Sequence, residues 1–383
     1  MTMTSKERAR TALHGGIPDK VPLGDFSIDA DTVSRILGHP TYVRAKARSQ
    51  IALWEGRRDE VVQNLIEDTI ALFRKLDCYD MINLCAMTLG LVPPKGYQPE
   101  APRRIDDVTW EYDDGRILKY SEITADITLV YDPEEWTRPI SPEDYPLDWT
   151  YKPPDPSVFE LVDAVIDAFG EDRFIIGPYP LANEWVQLGT MQRTLFEMAE
   201  RPELVDRAVQ SSMALAKVQQ AHWPTRALDA VMDGTDFGFK SGTFMSPKMW
   251  WRFCYPPLAA NVEGAHNAGL LFIQHACGNN WGILDGFMRA GVDAYQSVQT
   301  TATMEIAKVK EYVQGKLAVW GGVQVEHLVD GTAEEVRQDV RLAMERVKPG
   351  GGFVLGSTHS IAVGTRYDNF MAMLDEFDKL RDY

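Results

Sequence analysis

Basic residues, cysteines and long apolar runs are all scarce in this chain of 383 residues. Lysine and arginine total 39 against 56 aspartates and glutamates, which gives a formal net charge of −17. A surface this acidic repels phosphate groups, so we exclude binding to nucleic acid and docking on anionic lipid. No apolar run approaches the roughly 18 residues that a membrane-spanning helix needs, so we also expect no membrane segment.

The few cysteines follow no repeated spacing. They are Cys78, Cys85, Cys254 and Cys277. Such cysteines are typical of reduced thiols and not of a disulfide framework. Residues 1–8 lack the apolar core of a signal peptide and predict the start of an amphipathic helix. We therefore expect a cytoplasmic protein.

Hydrophobic residues make up 45% of the chain, which is enough for a sizeable core. Eight short apolar runs predict strands, because each is rich in strand-forming residues and is separated from the next by room for a helix. The runs are Lys20–Phe26, Cys78–Cys85, Arg173–Tyr179, Leu228–Asp236, Leu270–Ala276, Ala294–Gln299, Leu317–Val323 and Gly352–Thr358. This alternation predicts an α/β fold in which eight parallel strands close into a (β/α)8 TIM barrel. A doubly wound open sheet is the alternative, although no Gly-x-Gly-x-x-Gly follows the first strand.

Three segments between the runs have the pattern of helices. Ser246–His266 begins with Ser-Pro, which suits an N-cap and a first helical position. Thr332–Val347 begins with the capping box Thr-Ala-Glu-Glu. Arg193–Ala221 is long and amphipathic. We predict one helix for each segment.

One stretch departs from this alternation. Arg104–Pro133 alternates polar and apolar residues around Asp113-Asp114-Gly115, which predicts a β-hairpin with an Asp-Gly turn. The segment Asp132–Pro156, rich in proline and acidic residues, follows it. We interpret both as one insertion, at about 104–156, after the second strand of a single domain that spans 1–383. The insertion is either a rim or lid over the site or a solvated excursion.

Reactive residues stand where predicted strands end, which is where a barrel carries its active site. The fifth strand runs into His275-Ala276-Cys277, and this spacing points both side chains to the same side. Imidazole and thiolate are good zinc ligands, although such a pair also occurs as core packing. His359 follows the eighth strand and Gln299 ends the sixth. Because these strands are close neighbours in a closed barrel, the four side chains are predicted to converge on one metal ion, with Gln299 as an optional fourth ligand. A hydrogen bond without a metal is the alternative for His359.

Other strand-end residues are candidates for substrate binding or acid–base chemistry. Asp236 and Glu184 follow the fourth and third strands and are the candidate catalytic carboxyl groups. Asp25, which closes the first strand, is a candidate for substrate binding. Acidic residues at such positions also commonly cap loops and helices, so a structural role is the alternative. The aromatic residues expected to line an apolar substrate pocket, with core packing as the alternative, are Tyr179, Trp185, Phe237 and Tyr295.

Several motifs together resemble the uroporphyrinogen decarboxylase-like superfamily over nearly the whole chain. They are the opening Ser5–Arg8 and Pro18–Pro22, the His275-x-Cys277-Gly278 strand end, Trp320–Val323, Leu328–Val336 and Asp368–Phe370. The resemblance implies a barrel fold. Decarboxylases of this superfamily carry an arginine-rich loop near the N-terminus that grips the porphyrin carboxylates. The matching segment here, Val21–Ser27, has no arginine, which disfavours the decarboxylase branch.

The branch that this chain resembles is that of the zinc- and corrinoid-linked methyltransferases. Members that methylate thiols bind zinc through His-x-Cys and a later cysteine, and related methionine synthases add a glutamate. His275 and Cys277 match the first two ligands, whereas His359 stands in place of the later cysteine. Gln299 stands in place of the glutamate. Both replacements exchange an anionic ligand for a neutral one, which would make zinc a stronger Lewis acid, suited to pulling on an ether oxygen.

The resemblance therefore implies the methyltransferase component of an O-demethylase system. It would move a methyl group from a methoxylated aromatic compound to the Co(I) of cobalamin carried by a separate corrinoid protein. Gly356–Ile361 also resembles that branch. Two alternatives stay open. One is a metal-free decarboxylase or lyase that uses Asp25 or Asp236 with His359, and the other is a non-catalytic barrel that binds a ligand or a carrier protein. A homodimer is compatible with the sequence.

Overall fold

The structure is a computed structural model that describes residues 2–85 and 90–383. Its α-helices, in chain order, are α1 (Ser5–Leu13), α2 (Ala30–Leu37), α3 (Lys46–Trp54), α4 (Arg58–Lys75), α5 (Glu160–Phe169), α6 (Met191–Glu200), α7 (Pro202–His222), α8 (Pro247–Phe253), α9 (Tyr255–Asn267), α10 (Leu284–Ala290), α11 (Ile306–Val313), α12 (Val325–Val329), α13 (Ala333–Arg346) and α14 (Tyr367–Leu380). Among the described residues, no helix is both long and apolar enough to cross a bilayer.

The strands of the described residues fall into a curved parallel sheet, an antiparallel sheet and one hairpin. In chain order they are β1 (Met81–Asn83), β2 (Arg103–Arg104), β3 (Thr109–Glu111), β4 (Ile117–Ser121), β5 (Asp126–Tyr131), β6 (Phe174–Ile176), β7 (Ala230–Asp233), β8 (Gly238–Phe239), β9 (Gly242–Thr243), β10 (Leu271–His275), β11 (Ala294–Gln296), β12 (Ala318–Val323) and β13 (Phe353–Ser357). The parallel sheet has the order β1-β6-β7-β10-β11-β12-β13. Each of its strands lies within one of the last seven predicted runs, so these predictions are confirmed.

Segment 20–28 closes the sheet into a barrel without forming a regular strand. Leu23 pairs in parallel with Leu355 of β13. On its other side, the backbone N–H of Met81 in β1 donates to the Leu23 carbonyl oxygen at 3.2 Å. Pro22 has no N–H to donate, which shortens the hydrogen-bond ladder at this position. The eighth strand position is therefore occupied by isolated bridges, and the fold is the predicted TIM-like barrel and not an open doubly wound sheet.

The alternation of side chains along the strands separates two apolar cores. Ile273 of β10 and Trp320 of β12 belong to the cluster inside the barrel. Phe272, one residue earlier on β10, belongs to the larger cluster between the sheet and the surrounding helices. Because strand side chains alternate, His275 lies on the same face of β10 as Ile273, toward the barrel interior. Gln274 faces the helices.

Two of the predicted helices are interrupted. Ser246–His266 divides into α8 and α9 at Cys254, just before two prolines, and Arg193–Ala221 divides into α6 and α7 just before Pro202. Proline cannot donate a backbone hydrogen bond and disfavours helical geometry in the residue before it, so both breaks follow from the sequence. The capping box at Thr332 is confirmed at the start of α13.

The predicted insertion after β1 contains a four-stranded antiparallel sheet with the order β2-β3-β4-β5. The predicted hairpin is β3 and β4, and its turn includes Gly115 with a φ of +86°. Buried residues Trp110, Leu118 and Ile127 of this sheet pack against Ala47 of α3. The insertion is thereby attached to the N-terminal helices. Its role as a rim or lid stays a prediction.

Candidate metal centre

The His-x-Cys pair lies at the carboxyl end of β10. His275 is the last residue of the strand and is only 2% exposed. Cys277 follows it in the loop, and its Sγ lies 3.5 Å from His275 Nε2. Gly278 has a φ of +89°, which turns the chain away immediately after the cysteine. The two side chains therefore point to the same space, as the spacing predicts.

His359 joins this pair from the carboxyl end of β13. Its ring centroid lies 5.7 Å from that of His275. The candidate ligand atoms of His275, Cys277 and His359 all lie within 4.8 Å of one another. Tetrahedral zinc holds such donors about 3.5 Å apart, so a contraction of about 1 Å would complete the geometry. The three predicted ligands are thus brought together.

Burial sets the protonation of these side chains. It lowers the pKa of His275 to about 4 and the pKa of His359 to about 4, so both imidazoles are neutral at pH 7. Burial, together with the nearby Asp236 carboxylate, raises the pKa of the Cys277 thiol to about 12. Neutral imidazole is the form that binds metals, and a cation can displace the thiol proton. Two imidazoles and one sulfur form a donor set that fits zinc.

Gln296 fixes the tautomer of His275. Its amide oxygen accepts a short hydrogen bond from His275 Nδ1, and its Nε2 donates to the Ser357 carbonyl oxygen at 3.2 Å. Because an amide oxygen only accepts, Nδ1 carries the imidazole proton and the Nε2 lone pair faces Cys277 and His359. Gln296 is not among the residues that the sequence pattern indicates for the site. The one sequence signal for Gln296 is that a polar residue stands inside a buried strand. Its pairing with His275 depends on the register of β10 and β11, which the sequence pattern does not indicate.

Asp236 is the predicted catalytic residue that the structure brings to the cluster. Its Oδ1 accepts a hydrogen bond from the Cys277 backbone N–H at 2.6 Å and lies 3.9 Å from His275 Nε2. About half of its side chain is exposed, so it also faces the open mouth of the barrel. On the other side, Ser297 Oγ lies 3.4 Å from Cys277 Sγ. Asp236 therefore both positions the cysteine loop and offers a carboxylate beside the candidate ligands.

Gln299 lies next to the cluster but is engaged elsewhere. Its amide oxygen accepts from the Gly278 backbone N–H at 3.2 Å. To bind a metal, this oxygen would have to leave that hydrogen bond. Its predicted role as a fourth ligand stays a prediction, and Asp236 is a second candidate for that position.

The predicted aromatic pocket residues are engaged in packing or in hydrogen bonds to the backbone. Phe237 is fully buried and packs against Trp250. Tyr295 is also fully buried, and its hydroxyl donates to the Ala276 carbonyl oxygen at 3.0 Å. The other two are Tyr179, whose hydroxyl donates to the Gly264 carbonyl oxygen at 3.1 Å, and Trp185, which packs against Phe244. Their role in substrate binding stays a prediction.

A different aromatic residue lies over the site. Phe26, in the segment that closes the barrel, stacks on His275 with ring centroids 3.9 Å apart and planes inclined by 22°. Its centroid is 5.8 Å from that of His359. Phe26 is only partly buried, so the mouth has a flat apolar surface beside two of the candidate ligands. Phe26 ends the first predicted strand, Lys20–Phe26, so its place at the mouth follows from the sequence, whereas its stacking on His275 depends on the path of segment 20–28.

Asp25 lies in the seam that closes the barrel, where its carboxyl group accepts hydrogen bonds. The Tyr79 hydroxyl and the Ser357 backbone N–H both donate to its carboxyl group, the latter at 2.7 Å. Burial raises the pKa of Asp25 to about 7. Because the pKa of Asp25 in the folded state lies above the unfolded value of about 4, the protonated form of this carboxyl group stabilises the fold. This contribution to stability is complete below pH 4 and is lost as the pH rises through 7.

Replacing Asp25 by asparagine is expected to flatten the pH dependence of stability between pH 4 and 7. The amide keeps an acceptor for Ser357 and cannot ionise. The shift of about three pKa units corresponds to at most about 4 kcal/mol. Thermal unfolding of Asp25→Asn and wild type at several pH values measures this, with the fully exposed Asp107→Asn as a control. An unchanged slope in Asp25→Asn would contradict the assignment.

The comparisons with known proteins agree with this architecture. Residues 157–380, more than half of the chain, match the family model described as Uroporphyrinogen decarboxylase (URO-D), and this range includes the three candidate ligands. A solved structure of a methyltransferase from Methanosarcina mazei has the same fold, with a TM-score of 0.64, 17% identity, and coverage of 98% of this chain and 99% of that chain. No curated protein matches the chain. On the family match and the shared fold, the chain belongs to the uroporphyrinogen decarboxylase (URO-D) family.

Proposed function

We propose that this protein is a zinc-dependent methyltransferase that moves a methyl group from an aryl methyl ether to the Co(I) corrinoid of a partner protein. The observation that carries the proposal is the cluster of His275, Cys277 and His359 at the mouth of a URO-D family barrel. The structural neighbour from Methanosarcina mazei, itself a methyltransferase, supports the same class of reaction.

The donor set favours an ether as the methyl donor. With His275, Cys277 and His359 as ligands, a bound Zn²⁺ would keep a net positive charge and would supply Lewis acidity toward an ether oxygen. In the reaction the O–CH3 bond breaks, the methyl group takes the electron pair of Co(I), and the phenolate keeps the bonding pair. The protein must then supply a proton to the phenolate oxygen.

The described residues supply the remaining functions. Asp236 is exposed beside the cluster, and we assign to its carboxylate the relay of a proton from solvent to the departing phenolate. Phe26 offers a flat face next to the histidines, on which an aromatic ring can pack. Gln296 keeps His275 Nε2 unprotonated toward the metal.

The direct test is methyl transfer to a Co(I) corrinoid over a panel of methyl donors. Zinc-loaded protein is mixed with corrinoid protein, or with free cob(I)alamin, and the conversion of Co(I) to methyl-Co(III) is followed by its absorbance. We expect turnover with methoxylated aromatics and none with methylamines or methyl thioethers. Release of CO2 from an aromatic acid without any corrinoid would instead identify a decarboxylase. Tight ligand binding without turnover of any donor would identify a binding protein.

A further inference from the structure

A second group of polar side chains is buried behind β10, on the side that faces the helices. Glu184, in the loop after β6, is completely buried. Its Oε1 accepts from Asn261 Nδ2 of α9 at 3.4 Å. Its Oε2 has no hydrogen-bond partner among the described residues. An unpaired buried carboxyl oxygen costs about 1–3 kcal/mol, so this arrangement needs an explanation.

Gln274 also has a buried side-chain oxygen without a hydrogen-bond partner among the described residues. It is also completely buried, and its Nε2 donates to the backbone carbonyl oxygen of His275 at 3.1 Å. Its Oε1 lacks a partner among the described residues. The Glu184 and Gln274 side chains are close enough to hydrogen-bond. A carboxylate and an amide oxygen cannot bond to each other, because both only accept. One proton on Glu184 would satisfy both groups at once.

We propose that Glu184 is a positioning residue that carries a proton and donates it to Gln274, so that the Gln274 amide holds the backbone of the metal ligand His275. The inference rests on the proposed function in so far as His275 binds zinc. A single proton on Glu184 accounts for two buried oxygen atoms, Glu184 Oε2 and Gln274 Oε1, that otherwise lack a hydrogen-bond partner among the described residues. It also gives Glu184, predicted to act at the mouth, a role that its complete burial permits.

The surroundings of Glu184 favour the neutral acid. The groups that face it are the Asp233 carboxyl of β7, the Cys254 thiol before α9 and the amides of Asn261 and Gln274. Burial first, and then the charge of Asp233, raise the pKa of Glu184 well above its usual value, and they outweigh the opposite effect of the amides of Asn261 and Gln274. No positive charge is among the groups that affect it. A protonated carboxyl group is therefore the stable form at neutral pH.

Ionisation of Glu184 would reach the metal site through an amide rotation. Gln274 would turn its Nε2 toward the carboxylate, and its oxygen would then meet the carbonyl oxygen of His275. Two acceptors repel each other, so the end of β10 would shift. Because His275 is the last residue of that strand, its imidazole would lose its alignment with Cys277.

Two variants, Glu184→Gln and Glu184→Leu, distinguish a hydrogen bond from residue 184 to Gln274 from a role in packing alone. The glutamine amide can donate to Gln274 Oε1 as the acid does, whereas leucine cannot. We expect zinc affinity within about twofold of wild type in Glu184→Gln and a loss of about tenfold in Glu184→Leu, in the range of other residues that support metal ligands. Equal losses in both variants would overturn the proposal.

Infrared spectroscopy detects the proton without zinc and without a methyl donor. The Asp25→Asn variant lacks the carboxyl group whose pKa is about 7, and at pH 7 it is expected to show the C=O band of a protonated carboxyl group. Adding Glu184→Gln to this variant is expected to remove a component of the band. Adding Glu197→Gln is the matched control and should leave the band unchanged, because Glu197 is also buried but is ion-paired with Arg201. An Asp25→Asn spectrum without the band, or a band that Glu184→Gln leaves unchanged, would overturn the proposal. If no ether donated a methyl group, the proposed function would be wrong. The infrared result would still support the proposal that Glu184 carries a proton.

Discussion

Replacing His275 by alanine is expected to remove stoichiometric zinc and to lower methyl transfer by about a thousandfold or more, which corresponds to about 4 kcal/mol of lost transition-state stabilisation. His275 is the central ligand of the cluster, since its Nε2 lies 3.5 Å from Cys277 Sγ and its ring approaches that of His359. Removal of His275 leaves Cys277 and His359 with at most one of the candidate fourth ligands, and such an incomplete set holds zinc poorly. Metal analysis of the purified variant and the methyl-transfer assay give the two readouts.

The control for this result is His222→Ala. His222 is exposed at the end of α7, and its Nδ1 bonds only to the Val218 carbonyl oxygen. This variant should keep both zinc and activity. If His275→Ala also kept full zinc content and full activity, the zinc mechanism would be wrong. Gln299→Ala and Asp236→Asn, measured for zinc affinity alongside, decide which residue serves as the fourth ligand.

Gly278→Ala is expected to destabilise the fold strongly and to disturb the candidate metal site. A Cβ at this position would lie 2.1 Å from the carbonyl oxygen of Gly238, and the φ of +89° is itself unfavourable for alanine. Gly238 belongs to the hairpin β8–β9, whose Phe239 carbonyl oxygen accepts from the Asn279 N–H at 2.8 Å. The collision is between two backbone segments, so no side chain can rotate away. The variant must separate the hairpin from the loop that carries Cys277.

Gly291→Ala isolates the contribution of the backbone angle. Its φ of +84° is nearly the same, but the nearest atom to an added Cβ is 3.7 Å away. The control should lose about 1–2 kcal/mol, the cost of a left-handed conformation. Gly278→Ala should lose at least about 2 kcal/mol more, in the range of other steric conflicts in packed regions, and should also bind zinc weakly. Denaturant unfolding measures both variants, and equal losses would show that the hairpin does not constrain the cysteine loop.

The strands and the ligands were predictable because local pattern determines them. Apolar runs identified the strands, and a spacing of two residues placed His275 and Cys277 on one side of a strand end. The strand order of a barrel then predicted that His359 would lie nearby. Each of these inferences uses only neighbouring residues or the general geometry of the fold.

What could not be predicted depends on register and on loop paths. Gln296 faces His275 only because β10 and β11 pair in one register. Phe26 reaches the site on a segment that makes isolated bridges, and Glu184 was expected at the mouth but lies behind the sheet. The prediction of unbroken helices across Pro202 and Cys254 was wrong for another reason, since it gave amphipathic periodicity more weight than proline chemistry.

The seam that closes the barrel also sets the order in which the site can be assembled. Asp25 accepts a hydrogen bond from Ser357, a residue 332 positions later in the chain. A contact between such distant residues forms slowly and late, because the chain between them must first become compact. Phe26 and His359 lie next to this contact on either side. The candidate metal site is therefore completed only when β13 docks against segment 20–28, which is a late step of folding.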